Sequence, residues 1–191
     1  IFDEVQTGFA RTGSWGAMDH YNVTPDLSTW AKSMGSGMPI GTVIGKAEVM
    51  DAAAPGTIGG TYIGNPLACV ASLATIQYIK DINLNERGIE VGNIIRSRFE
   101  EMQAKFPQIG DVRGLGAMMA IEFVKNNDPR QPDGDLCGKV VKGCADCNLI
   151  IISAGTYKNN IRILSPLTIS NDLLHEGLDI IEDEIGKAVK S

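Results

Sequence analysis

The sequence predicts a mixed chain of the α/β or α+β class, with a lobe boundary near residue 80. Three observations carry this. Short apolar runs bounded by glycine, proline and asparagine alternate with longer segments whose apolar residues recur at helical steps. The 191 residues are 43% apolar and 21% charged, the balance of a chain that can build a core. After Lys80-Asp81 the pattern changes from glycine-rich stretches to amphipathic ones.

Ile1-Phe2 reads as the end of an apolar strand that Asp3 closes, so the polypeptide is expected to continue upstream of residue 1. Residues 27–31, after the Pro25-Asp26 turn, and 42–44, after Pro39, read as strands. Asn65-Pro66 marks a helix start: the asparagine caps, and the proline takes the first position, where its missing N–H costs nothing. Residues 67–79 are apolar nearly all round, which predicts a buried helix. In 86–106, Ile95, Phe99, Met102 and Phe106 fall at steps of four, three and four, an amphipathic helix that Pro107 ends. Gly110 to Gly116 reads as a tight strand connection, because its glycines lack the βαβ context of a dinucleotide site. Residues 117–124 read as a strand, 126–135 as a polar loop, 137–147 as a helix, and 149–153 and 161–164 as strands. Asn171 is expected to cap a last helix that places Leu174, Leu178, Ile181, Ile185 and Ala188 on one face.

Charge and cysteine usage exclude several classes. Seventeen Lys+Arg against 23 Asp+Glu give a formal net charge of −6, with no basic footprint for nucleic acid or an anionic membrane. No apolar run approaches the roughly 18 residues that span a bilayer, and the first residues lack a signal-peptide pattern. Four cysteines without a dense framework fit a reducing compartment. Cys144-Ala145-Asp146-Cys147 has redox or zinc spacing, but there is no second pair and the histidines are only His20 and His175. Cys137, Val140, Cys144 and Cys147 fall on one helical stripe, which favours packing, and no metal is expected.

Lys32 follows a short apolar strand and precedes a loop, residues 33–39, too glycine-rich to be helix. That is where α/β folds bind ligands, although a lone lysine there is equally a solvated surface charge. Asp3 ends the first strand and is expected at the same rim, as a buried carboxylate forming either a generic ion pair or part of a site. Adjacent strand residues face opposite ways, so Glu4 is not expected to share a role with Asp3. By the same alternation Arg162 points away from Ile161 and Ile163, as a rim ion pair or a carboxylate clamp. Thr61 follows Gly59-Gly60, where backbone N–H groups can approach an anion, with the helix start at Asn65 just beyond; an ordinary turn hydroxyl is the alternative.

Taken together, Asp3-Glu4-Val5-Gln6-Thr7-Gly8, Arg11-Thr12-Gly13, Pro25-Asp26-Leu27, Lys32 and Gly35-Ser36-Gly37-Met38-Pro39 resemble the signature of class III aminotransferases, pyridoxal-phosphate enzymes of fold type I. The likeness continues through Gly59-Gly60-Thr61-Tyr62, Gly64-Asn65-Pro66, residues 110–116 and Arg162-Ile163-Leu164-Ser165-Pro166-Leu167, and so covers essentially the whole chain. Gly-Gly-Thr-Tyr and Arg-Ile-Leu-x-Pro-Leu look most like the 4-aminobutyrate branch. Ser36 departs from the pattern, standing where the family more often has glycine.

The resemblance implies roles. Lys32 is the Schiff-base lysine for pyridoxal 5′-phosphate, Asp3 the partner of the pyridine nitrogen, and Val5 packs on a ring face. Gln6 hydrogen-bonds near the phenolic oxygen, Thr61 binds the cofactor phosphate of a neighbouring subunit in a homodimer, and Arg162 holds a substrate carboxylate. Residues 1–80 become the C-terminal part of a large cofactor domain and 81–191 an α+β small domain. The implied reaction moves an amino group from an ω-amino acid, foremost 4-aminobutyrate, to a 2-oxo acid such as 2-oxoglutarate. It would run in the cytoplasm, or in the mitochondrial matrix of a eukaryote. The rivals are ornithine or acetylornithine as donor, and a non-catalytic aminotransferase-like module. The fragment alone is expected to be inactive, since the phosphate loop and ring-covering aromatic of the family lie upstream.

Overall fold

Phe2–Asp3 forms a two-residue strand, β1, and it survives at that length because a longer neighbour holds it. In the computed structural model, which describes residues 1–190, β1 pairs in parallel with β2 (Leu27–Trp30), Asp3 lying opposite Thr29. β2 pairs on its other edge with antiparallel β3 (Thr42–Gly45), giving the sheet order β1-β2-β3. The chain divides into two compact units, Ile1–Gly88 and Ile89–Ser191.

In the first unit the core forms around Trp30, which is buried and meets the ring of Phe9 edge-on at 5.9 Å. Its indole N–H is satisfied by Ser28 Oγ at 2.9 Å, as a buried tryptophan requires. A short helix, α1 (Ala47–Met50), follows β3. The next helix, α2 (Pro66–Asp81), starts as the sequence predicts: the Asn65 side chain accepts from the N–H groups of Leu67 and Ala68. Its burial does not follow the prediction. Ala68, Ser72 and Ile79 are buried, but Leu67, Val70 and Leu73 are 69%, 64% and 66% exposed. A helix that is apolar all round needs a neighbour on every side, and within this unit one side is covered, by the turn after β2.

The long helix α3 (Leu84–Lys105) carries the unit boundary and buries Val91, Ile95, Phe99 and Met102 in the second unit. Four antiparallel strands follow the order β4-β5-β7-β6. They are β4 (Ile109–Leu115), β5 (Met118–Phe123), β6 (Ser153–Ala154) and β7 (Asn160–Ile163). The strict alternation of β5 turns Met119, Ile121 and Phe123 into the core. There they join buried Ile161, Val140 of α4 (Gly134–Asp146), and Leu178, Ile181 and Ile185 of α5 (Asn171–Ala188).

Four details correct the sequence reading here. Residues 110–116, expected as a connection, fall but for Gly116 in a full strand, Ile109–Leu115: Gly114, at φ 155, serves as a close-packed strand residue, and a Cβ there would lie 2.2 Å from the Met118 carbonyl. Of the strand expected at 149–153, only Ser153 pairs; the Leu149 N–H is spent closing α4 on the Cys144 carbonyl at 2.8 Å, and Ile150 is 90% exposed. The last helix is capped by Ser170, whose hydroxyl accepts from Leu173 N–H, so Asn171 is its first residue. Cys137, Val140 and Cys144 are buried as a packing stripe predicts, but Cys147 has passed the end of α4 and is exposed. Among the described residues, no helix is long and apolar enough to cross a membrane.

Candidate active site

Parallel pairing of β1 with β2 brings their carboxyl ends to one edge of the sheet. Asp3 closes β1, and Lys32 stands two residues beyond the end of β2. Asp3 is exposed there, not buried as expected, because Glu4 takes the inward position. The Asp3 carboxylate is nevertheless held: its Oδ1 accepts from Val5 N–H at 3.0 Å and from the Thr29 hydroxyl at 3.2 Å. Both bonds fall on one oxygen. Val5 and Gln6 continue into the turn after Asp3, each half-buried.

Lys32 is exposed, and its backbone is left-handed, φ 48, a conformation costing a residue with a Cβ about 1–2 kcal/mol. It opens a single 3-10 turn, Lys32–Gly35, after which Ser36 is also left-handed at φ 45. The Ser36 hydroxyl receives a hydrogen bond from Thr75 Oγ1 of α2 at 3.0 Å, which ties the loop to the helix. Backbone strain of this kind concentrates where the surrounding fold must hold a functional group in place.

Thr61 is exposed in the turn before α2 and lines a cleft of about 470 Å³ with Pro39, Ile40, Gly41 and Asn65; neither Asp3 nor Lys32 lines it. The first N–H groups of α2 are not available to an anion at that turn, since Asn65 already takes those of Leu67 and Ala68. Arg162 belongs to the second unit. It is half-buried on β7, opposite Ala120 of β5, and with Leu149, Ile152, Ser165 and Leu178 it lines a largely apolar cleft of about 440 Å³.

Glu4 is the structural residue that sequence reasoning passed over. It is 1% exposed, and its oxygens accept from the N–H groups of Ala17 and Met18 at 2.8 Å each and from the Thr7 hydroxyl. It thereby folds the loop after β1 back over the sheet, and the inward phase of the strand was the signal for it. His20 has a local partner, Nε2 lying 2.9 Å from the Thr12 carbonyl. Burial pushes the thiols of Cys137 and Cys144 up to about 11 and 12, leaving them inert. Among the described residues, no three His, Cys, Asp or Glu side chains gather as metal ligands.

The family profile of aminotransferase class-III matches residues 1–185. The chain belongs to this family. It is 50% identical over 182 residues to a probable 4-aminobutyrate aminotransferase of Bacillus subtilis, covering 95% of this chain and 42% of the relative. It is 48% identical to a 5-aminovalerate aminotransferase of Pseudomonas aeruginosa, over 96% of this chain and 43% of that one. Among solved structures, an acetylornithine aminotransferase from Elizabethkingia anophelis superposes with a TM-score of 0.84 at 35% identity, over 98% of this chain and 46% of the other. A phospholyase from Arthrobacter in complex with phosphoethanolamine superposes at 0.89 and 30% identity, over 96% and 44%. The chain thus spans less than half the length of the relatives it matches. Its α/β architecture is part of the fold-type-I architecture of the pyridoxal-phosphate-dependent aminotransferases.

Proposed function

We propose that the chain is the C-terminal part of a pyridoxal-phosphate-dependent aminotransferase that takes an ω-amino acid, foremost 4-aminobutyrate, as donor and 2-oxoglutarate as acceptor. Residues 1–80 complete the large cofactor domain and 81–191 form the small domain. The observation that carries this reading is the shared rim of β1 and β2, with a carboxylate at the end of one strand and a strained lysine just beyond the end of the other.

These residues fit the cofactor by the chemistry of their donors. Asp3 Oδ1 is engaged by Val5 and Thr29, which fixes the carboxylate while Oδ2 can face a protonated pyridine nitrogen. The exposed Lys32 supplies the amine, Val5 and Gln6 border the ring, and Thr61 meets the phosphate of a neighbouring subunit in a homodimer. With the α2 N–H groups taken by Asn65, the phosphate contact falls to the Thr61 hydroxyl and the loop backbone. When bound, pyridoxal phosphate supplies an electron sink for the carbanion formed at the amino carbon. Asp3 holds the proton at the pyridine nitrogen. Lys32 Nζ moves the proton taken from the amino carbon of the substrate, and Arg162 binds a carboxylate through its planar fork.

The donor is inferred from relatives named for 4-aminobutyrate and 5-aminovalerate, both unbranched ω-amino acids and both near 50% identity. The phospholyase superposition shows that the fold alone does not select the reaction. These 191 residues, 42% of the length of such relatives, are proposed not to turn over substrate by themselves. A cytoplasmic setting suits the four free cysteines. The test is optical: the holoenzyme carrying this chain should be yellow with pyridoxal phosphate and should transaminate 4-aminobutyrate. Lys32→Ala should abolish both the colour of the bound form and turnover. A Lys32→Ala variant that stays coloured and active would refute the assignment.

A further inference from the structure

One face of the second-unit sheet is polar, and its register sets two arginines in a single row. Arg113 of β4 lies opposite Ala120 of β5, and Ala120 lies opposite Arg162 of β7. Directly paired residues share a face, so both guanidinium groups rise from the same side, with only a methyl between them. Their situations differ. Arg113 Nη1 is 2.6 Å from Asp111 and 2.6 Å from Glu122, while Nη2 donates to Asn160 Oδ1 at 2.7 Å. It therefore reaches from β4 across β5 to the first residue of β7, a span of about 10 Å at ordinary strand spacing.

Asn160 is 7% exposed and passes the hold on: its Nδ2 donates to Asn159 Oδ1, and Asn159 Nδ2 donates to the Phe123 carbonyl. Asn160 and Arg162 are two residues apart on one strand, hence on the same face. The location matters because β7 loses a neighbour there. β6 pairs only with Asn160 and Ile161, so β7 has strands on both sides up to Ile161 and, from Arg162 onward, pairs with β5 alone.

We infer that Arg113 is a positioning residue: by clamping Asn160 to Asp111 and Glu122, it fixes the point from which β7 carries Arg162 to its ligand. The inference rests on the reading of Arg162 as the carboxylate-binding residue. Arg113 is about half exposed, so its ion pairs add little to stability, and what they supply is geometry.

The test compares Arg113→Met, Arg113→Lys, Asn160→Ala and Arg162→Met in the holoenzyme carrying this chain. Two quantities are read: steady-state kinetics with 4-aminobutyrate and 2-oxoglutarate, and amide hydrogen exchange across β7. Arg113→Met should raise KM for the carboxylate substrate about tenfold with kcat within about twofold, and should speed exchange in β7. Asn160→Ala should do the same, and Arg113→Lys should recover part of the loss. Arg162→Met should raise KM while leaving β7 exchange unchanged. A raised KM in Arg162→Met beside an unchanged KM in Arg113→Met overturns the positioning role alone. An unchanged KM in Arg162→Met removes the carboxylate role and this inference with it, whatever the exchange shows.

Discussion

At Lys32 the backbone adopts a conformation that its own Cβ opposes, and this separates what suits the fold from what suits the site. Left-handed backbone with φ 48 costs a non-glycine residue about 1–2 kcal/mol, and the surrounding turn holds it there. Lys32→Gly should therefore be more stable than Lys32→Ala by about 1 kcal/mol, read as a difference in urea midpoints, while both lack the amine. Equal midpoints would show that the strain is not real. Some of this residue-scale detail was readable beforehand. The strand ends at Asp3 and before Lys32, and the face of Arg162, follow from apolar runs and period-two alternation. The Asn65 cap that occupies the first α2 N–H groups follows as well, from the Asn-Pro pair. The left-handed φ of Lys32 and the anchoring bonds of Glu4 do not follow, because the first is a local backbone angle and the second depends on atoms distant in sequence.

Among the elements, the long helices and the strands β2, β3, β5 and β7 were legible, whereas β4, β6 and the short helix α1 were not. α3 and α5 announce themselves by their apolar steps, and the residues on those steps are the ones buried: Ile95, Phe99, Met102, Leu178, Ile181 and Ile185. β4 escaped because glycines at 110 and 114 are turn signals in isolation, whereas here they are close-packed strand residues: a Cβ on Gly110 would lie 2.7 Å from a methyl of Val124, and one on Gly114 2.2 Å from the Met118 carbonyl oxygen. A Cβ on Gly92 of α3 would lie 2.0 Å from the carbonyl oxygen of Gly116, the left-handed residue in the β4–β5 turn at φ 50. Helix and turn approach this closely because residue 92 carries no side chain. Gly92→Ala should destabilise the second unit by about 3 kcal/mol, the upper range for overpacking, because the clash is with backbone and cannot relax by a rotamer change. Thermal melting of that variant checks it, and a change below 0.5 kcal/mol would contradict the packing. The burial of α2 was misjudged for another reason: composition reports that a helix seeks partners, not whether the same unit contains them.

Across the second unit as a whole, one charge network joins the first and last helices and makes stability respond to acid. Arg98 of α3 donates to Asp179 at 2.7 Å and Glu182 at 3.0 Å of α5, and Lys105 reaches Glu182 at 2.8 Å. The Lys105 ammonium, helped by Arg98 and against some desolvation, holds the Glu182 carboxyl below its ordinary value. A lowered folded-state pKa gives stability that is present above the unfolded value, about 4.3, and lost as pH falls through the folded one. The melting gap between the wild type and Glu182→Gln should therefore be about 1 kcal/mol at pH 7, discounted for the half-exposed lysine, and should close toward pH 3. A gap that widens on acidification would reverse the sign. The proposed chemistry lies elsewhere in the molecule, at the rim where β1 and β2 end, and chemical trapping probes that rim. The chain is incubated with excess pyridoxal phosphate, reduced with borohydride and mapped by peptide mass spectrometry. The reduced pyridoxyl group should concentrate on Lys32 and fall away when Asp3 is replaced by leucine. Labelling spread evenly over exposed lysines such as Lys46 and Lys80, with Lys32 not favoured and Asp3 without influence, would contradict it.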